Sequence, residues 1–243
     1  VFLLKQGAEP DPRIKILSLK HQNAGAARNA GLDKAQGEYV MFLDADDSFE
    51  ENFIEEMYKA AREQKADVVI CQFCMEDYRS GLVEHKKGYD PIRMKPNRVT
   101  VPERIKYLFH AVSAVTYNKI WKRDWVLQQG LRFSATKSSN DVFFVDASIA
   151  KARRIFALNK ELYTYRYQYH QASISVNRSK SVSDFLTVHQ ELYDWLAKEG
   201  IFEKFSDGYL CHWRSIFHGN VRLTKDVSFL DAVTDTLIRG EVW

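Results

Sequence analysis

The run Tyr39-Val40-Met41-Phe42-Leu43 leads without a break into Asp44-Ala45-Asp46-Asp47. A continuous apolar run of this length is what a strand covered on both faces looks like. Around it the sequence alternates between strand and helix signals. Ile14 to Leu19 is a short β-branched run. Ala24 to Ala35 is Ala-rich and favours helix, with Gly37 placed to stop it. Ser48 with Glu51 is a capping-box pattern, opening a helix that runs to about Gln64. Asp67 to Phe73 reads as another buried strand. Strand, helix, strand, helix, strand at this spacing predicts an α/β fold with a Rossmann-like, mostly parallel sheet. In such sheets ligands bind beyond the carboxyl ends of the strands, which is where the acidic cluster falls.

After Met75 the pattern loosens around Gly81, Gly88, Pro91 and Pro96. Thr100 and Glu103, with Pro102 in the first turn, predict a helix to about Val112. A further helix is expected over Asp141 to Ala152, and short strands over Arg154 to Leu158 and Glu161 to Gln168. From Ser183 onward Phe185, Val188, Leu192 and Leu196 recur at helical spacing. The expected organisation is a core over 1–178 and a helical C-terminal appendage over 179–243.

Net charge is +3 and the basic residues are spread along the chain. That argues against nucleic acid, which calls for a concentrated basic stripe. Loose peripheral contact with an acidic membrane surface stays open, but no apolar run approaches the ~20 residues of a membrane helix. Three cysteines make no disulfide framework and point to a reducing cytoplasm. Cys71 and Cys74 stand three apart on a predicted strand, so they face opposite ways and read as buried structural thiols rather than a metal pair.

Asp44 and Asp46, one residue apart past a buried strand, suit a hard cation such as Mn²⁺ or Mg²⁺ shared with substrate phosphates. The plain alternative is a polar turn capping the next helix. A calcium loop fails, because Phe49 stands where that loop needs glycine. A strand followed by Asp-x-Asp-x-Ser also suits a haloacid dehalogenase-type phosphatase with Asp44 as nucleophile. Spacing alone leaves these readings open.

The wider block is more specific. His21-Gln22-Asn23-Ala24-Gly25-Ala26-Ala27-Arg28-Asn29-Ala30-Gly31-Leu32, then Ala35-Gln36-Gly37-Glu38-Tyr39, then Phe42-Leu43-Asp44-Ala45-Asp46-Asp47 resembles the central block of bacterial family 2 glycosyltransferases of the polysaccharide type. The resemblance continues more thinly through Tyr117 to Arg123, Gly130 to Phe133, Ser139 to Phe144 and Leu162 to Arg166, and closes at Ser173-Ile174-Ser175. It implies a GT-A fold and inverting transfer of a sugar from a nucleotide-diphosphate donor, UDP-linked by preference, to a hydroxyl of a glycan or lipid-linked acceptor.

Carried over by residue, the resemblance implies that Asp46 is the main metal ligand, with Asp44 beside it. Arg28, Asp44 and Ala45 would hold the nucleotide-sugar. Asp141 would be the general base, and His170 a further metal or phosphate contact. Asn140 departs from the pattern, since many relatives carry an acidic residue there. Each residue also has a plainer reading. Arg28 could pair with Asp33 or Glu38, Asp141 could cap a helix, and His170 could be a surface histidine. Tyr117 and Trp121 could stack on a sugar or belong to the core.

The family's pattern normally begins about 60 residues earlier, with Pro-x-Tyr-Asn-type and Asp-Asp-Gly-Ser-type segments that hold the base and ribose. Neither is found here, so the expectation is a fold truncated at its N-terminus. Such a chain would pair with a copy or partner, or be an inactive fragment.

Overall fold

The computed structural model describes residues 11, 13–20, 22–167 and 184–223. Helices α1 (Ala24–Lys34), α2 (Phe53–Gln64), α3 (Leu108–Ala111), α4 (Arg123–Gln128), α5 (Val142–Lys151), α6 (Asp184–Lys198) and α7 (Phe202–Leu223) surround a seven-stranded sheet. Its strands are β1 (Tyr39–Val40), β2 (Ser48–Phe49), β3 (Val68–Asp77), β4 (Val83–Lys86), β5 (Val99–Thr100), β6 (Lys119–Lys122) and β7 (Ile155–Tyr167). The main path runs β1-β6-β3-β7-β2, with β4 on β3 and β5 on β7.

The α/β class stands as expected, but the pairing is mixed. The long central strands β3 and β7 are parallel, and every other pair among the described residues is antiparallel. Each central strand shares its second edge between two short partners: β6 then β4 on β3, and β5 then β2 on β7. β3 is buried on both faces in alternation. Val68 and Ile70 join one apolar cluster with Trp121, Phe144 and Leu192. Val69, Cys71 and Phe73 join a second with Phe53, Met57 and Tyr163. Burying each such large side chain stabilises the fold by about 1.5–3 kcal/mol. Cys71 and Cys74 are buried and unbridged, as the strand reading required.

Several local expectations are overridden by pairing between distant segments. Residues 14–20 form no strand, and Ile14, Ile16, Leu17 and Leu19 are exposed. A strand needs a neighbour for its ladder bonds, and the described residues offer none there. Only Tyr39 and Val40 of the apolar run pair with β6. Phe42 instead drops into the core against Phe133 and Phe144, at ring distances of 4.7 and 5.4 Å. Ser48 caps no helix, because its backbone pairs with Thr164 in β2. α2 starts at Phe53, with Glu55 and Glu56 facing its positive end, and stops at Gln64 as expected.

The helix expected from Thr100 is broken into pieces, because Thr100 is taken by β5 and Tyr107 has φ +54°. The two strands expected after Arg154 are one, β7, whose register against β3 shifts around Leu158 to Leu162. The boundary expected at 178/179 lies outside the described residues. α6 and α7 bury Leu192, Leu196, Phe205 and Tyr209 in the same cluster as the sheet residue Trp121.

Candidate active site

α1 begins at Asn23, whose side chain accepts from the Ala26 N–H and so caps the helix. The rest of its stitching is to the loop before α5. Asn23 donates to the Ala135 carbonyl at 2.8 Å. Asn29 donates to the Phe133 carbonyl at 3.0 Å and accepts from the Phe133 N–H at 2.9 Å. Gly25 sits so close that an added Cβ would lie 2.4 Å from the Ser134 carbonyl oxygen. α6 holds the same loop from the other side, with Asp184 accepting from the Ser138 N–H at 2.8 Å and Glu191 from the Ser134 hydroxyl at 2.5 Å. Within the loop, Ser139 has φ +54°, an uncommon backbone state for a residue with a side chain.

This stitching aims Arg28 at the acidic turn. Its guanidinium donates to Asp44 Oδ1 at 2.8 Å and to Asn140 Oδ1 at 2.9 Å, and lies 5.6 Å from the Phe133 ring centre. The Arg28 side chain is 17% exposed and that of Asp44 35%, so this pair is screened less than an exposed ion pair. The pairings of Arg28 with Asp33 or Glu38 do not form; Arg132 takes Asp33 and Arg62 takes Glu38.

The three carboxylates of the turn have separate fates. Asp46 and Ala45 are exposed, and Asp46 makes no hydrogen bond or ion pair among the described residues. Asp44 is bound by Arg28. Asp47 is tied to β7: its Oδ2 accepts from the Tyr163 hydroxyl at 2.7 Å and its Oδ1 from the Arg166 N–H at 2.8 Å. Burial pushes the Asp47 carboxyl up to about 6, against these two hydrogen bonds and with help from the charges of Asp46 and Asp44.

Asp141 stands at the N-cap position of α5 but makes no side-chain capping bond. It belongs with the turn electrostatically. Burial first, then the charges of Asp47, Tyr165, Asp141 and Asp44, push the Tyr117 phenol upward. Tyr117 therefore feels the charges of the turn and of the residue that precedes α5. Its ring stacks on Tyr163 at 4.6 Å and on Tyr165 at 5.8 Å, and it is 8% exposed. Trp121 is fully buried and donates to Ser148, so it is core. His170 lies outside the described residues.

Arg28 thus joins Asp44 of the acidic turn to Asn140, next to Asp141. Sequence reasoning assigned no role to Asn29, Asn140, Asp47 or Tyr163, although all four stood inside the motifs it singled out. The described residues hold no group of three or more acidic, histidine or cysteine side chains able to bind a metal together.

An α/β fold with this acidic turn and a stitched Ala-rich helix is the architecture of a GT-A-type glycosyltransferase. The chain belongs to glycosyl transferase family 2, whose sequence profile matches residues 1–125. It is 30% identical to a cholesterol galactosyltransferase of Borreliella burgdorferi, over 81% of this chain and 55% of the relative. To the poly(ribitol-phosphate) β-N-acetylglucosaminyltransferase TarP of Staphylococcus aureus it is 26% identical, over 79% of this chain and 56% of the relative. The chain therefore spans about half the length of these curated relatives. Among solved structures, S. aureus TarS 1–349 in complex with UDP-GlcNAc superimposes with a TM-score of 0.61 at 20% identity, over 82% of this chain and 56% of that one. Family membership sets aside the phosphatase reading of Asp44.

Proposed function

We propose that the protein transfers a sugar, with inversion, from a nucleotide-diphosphate donor to an acceptor hydroxyl. The observation that carries this is that Arg28 bonds at once to Asp44 of the acidic turn and to Asn140, the neighbour of Asp141. Arg28 and Ala45 would line the nucleotide-sugar. UDP-GlcNAc is the first donor to try, because a structural neighbour holds it. The acceptor would be a glycan or lipid-linked glycan in surface polysaccharide assembly, worked on at the cytoplasmic side. No helix among the described residues is long and apolar enough to cross a membrane.

Asp46 and Asp44 are oxygen donors of the type that Mn²⁺ or Mg²⁺ takes, and they fit such an ion only if substrate phosphates complete its shell. When bound, that ion offsets charge growing on the diphosphate leaving group. His170 remains a proposed further contact to the metal or a phosphate. Asp141 would take the proton from the acceptor hydroxyl as its oxygen attacks the anomeric carbon. The bond from that carbon to the diphosphate breaks on the opposite face, and the electron pair leaves with the diphosphate.

The test is calorimetric titration with UDP and Mn²⁺, for the unsubstituted chain and for Asp46→Ala. Metal-dependent binding that the substitution abolishes supports the reading. Absence of binding by the unsubstituted chain refutes it for this chain.

A further inference from the structure

The sequence Asp44-Ala45-Asp46-Asp47 offers three carboxylates, and the structure gives them unequal chemistry. Both oxygens of Asp47 are engaged, one by the Tyr163 hydroxyl and one by the Arg166 N–H. Tyr163 is 1% exposed, and its ring is held between Phe53 at 5.8 Å and Tyr117 at 4.6 Å. The same hydroxyl oxygen accepts from the Asp44 N–H at 3.4 Å. A single phenol oxygen thereby touches the first and last residues of the turn.

The backbone extends the same joint. The Asp47 N–H donates to the Asp44 carbonyl at 3.4 Å, closing the turn. Immediately after it, Ser48 and Phe49 pair with Thr164 and Tyr163, and the Glu50 N–H donates to Leu162. The turn is therefore fixed to the distal half of β7, beyond the register shift against β3. Asp44 is bonded to Arg28 on the other side, and Asp46, at the crest, is left exposed.

We infer that Asp47 and Tyr163 are positioning residues that brace the turn on β7, so that Asp44 and Asp46 present their carboxylates in a fixed arrangement. The inference rests on the role proposed above for Asp44 and Asp46. Asp47 is assigned the bracing role rather than a ligating one because each of its oxygens already accepts a hydrogen bond from β7, whereas Asp46 at the crest is exposed. Without the phenol oxygen, Asp44 and Asp47 lose their shared partner, and ordering the two donor carboxylates falls on the incoming ligand.

Two measurements on the full chain test the brace. The first is hydrogen exchange without ligand, which does not depend on the proposed function. Tyr163→Phe should speed exchange of the amides of residues 44–48 at least tenfold and leave α5 and β3 unchanged. Unchanged exchange at 44–48 overturns the brace, and a rise across the whole chain reports general loss of stability instead and also overturns it.

The second is titration with UDP and Mn²⁺. Binding should weaken about tenfold in Tyr163→Phe and in Asp47→Ala, and less in Asp47→Asn, whose amide keeps polar contacts at both positions. If Asp47 were itself a ligand, Asp47→Asn would lose binding as fully as Asp47→Ala, and that result, or unchanged binding in Tyr163→Phe, overturns the inference while leaving the parent reading intact. Failure of the unsubstituted chain to bind overturns the parent reading and this consequence with it, whatever the exchange result.

Discussion

Arg28 donates to the side-chain oxygen of Asn140 at 2.9 Å across 112 positions of sequence. Through that bond α1 is joined to the residue next to Asp141, and through its second bond to Asp44 it is joined to the acidic turn. One guanidinium thus spans the two halves of the candidate site. With an amide at Asn140, Asp44 is the one carboxylate partner of Arg28 among the described residues.

Arg28→Lys should therefore be far from conservative. An ammonium has one nitrogen and cannot reach both oxygens with the fork geometry of arginine. Loss of one hydrogen bond to a charged group costs about 1.5–3 kcal/mol, so UDP binding should weaken by about tenfold or more. Calorimetry with UDP and Mn²⁺ checks this, and an unchanged dissociation constant would remove Arg28 from the site.

Asp141→Asn separates binding from chemistry. The proposed base would be lost while the donor contacts stay, so donor affinity should hold and turnover should fall by about 10²–10⁴-fold. Donor hydrolysis and UDP binding measured on the same preparation decide the point. A parallel loss of both would assign Asp141 to binding or to folding.

Gly25→Ala discriminates local from tertiary control. By helix propensity alone, alanine inside α1 should stabilise by up to about 1 kcal/mol. The new Cβ would meet the Ser134 backbone oxygen at 2.4 Å, so the two segments must separate. We expect a net loss of about 1–3 kcal/mol, typical of overpacking, measured by urea unfolding. A gain in stability would show that the approach of α1 to this loop is not tight in solution.

His189 gives the fold a pH dependence. It is 1% exposed between α6 and α7, and among the described residues neither ring nitrogen has a hydrogen-bond partner. Burial, and then the neighbouring His212, push it down from 6.5 to about 3. His212 Nε2 in turn lies 3.4 Å from the buried Asp146. Since the folded value is depressed, the unfolded chain binds more protons between the two values, and stability is lost as pH falls below about 6.5. At ~1.4 kcal/mol per unit, acidification from pH 6.5 to 5 should cost about 2 kcal/mol. His189→Leu should flatten that slope, and urea unfolding at the two pH values reads it. An unaltered slope would mean that other groups carry the acid sensitivity.

The elements legible in the sequence were those whose signals are local. α1, α5 and α6 announced themselves by composition and by apolar spacing, and the buried face of α6 is the one its period required. β3 was legible because a strand covered on both faces needs a continuous apolar run. The acidic turn, Arg28 and Asp141 were singled out through the motif that contains them, and their roles are those proposed above.

What only the tertiary structure decided is who partners whom. Ser48 reads as a helix cap until Thr164 pairs with it, and 14–19 reads as a strand although no described neighbour completes its ladder. Asp44, Asp46 and Asp47 are alike in sequence, yet Arg28, solvent and Tyr163 divide them into three different environments. The physical reason is common to these cases. A side-chain period or cap is encoded within a few neighbouring residues, whereas a partner 16 positions away, as Arg28 is from Asp44, or 116, as Tyr163 is from Asp47, is supplied only once the core has closed.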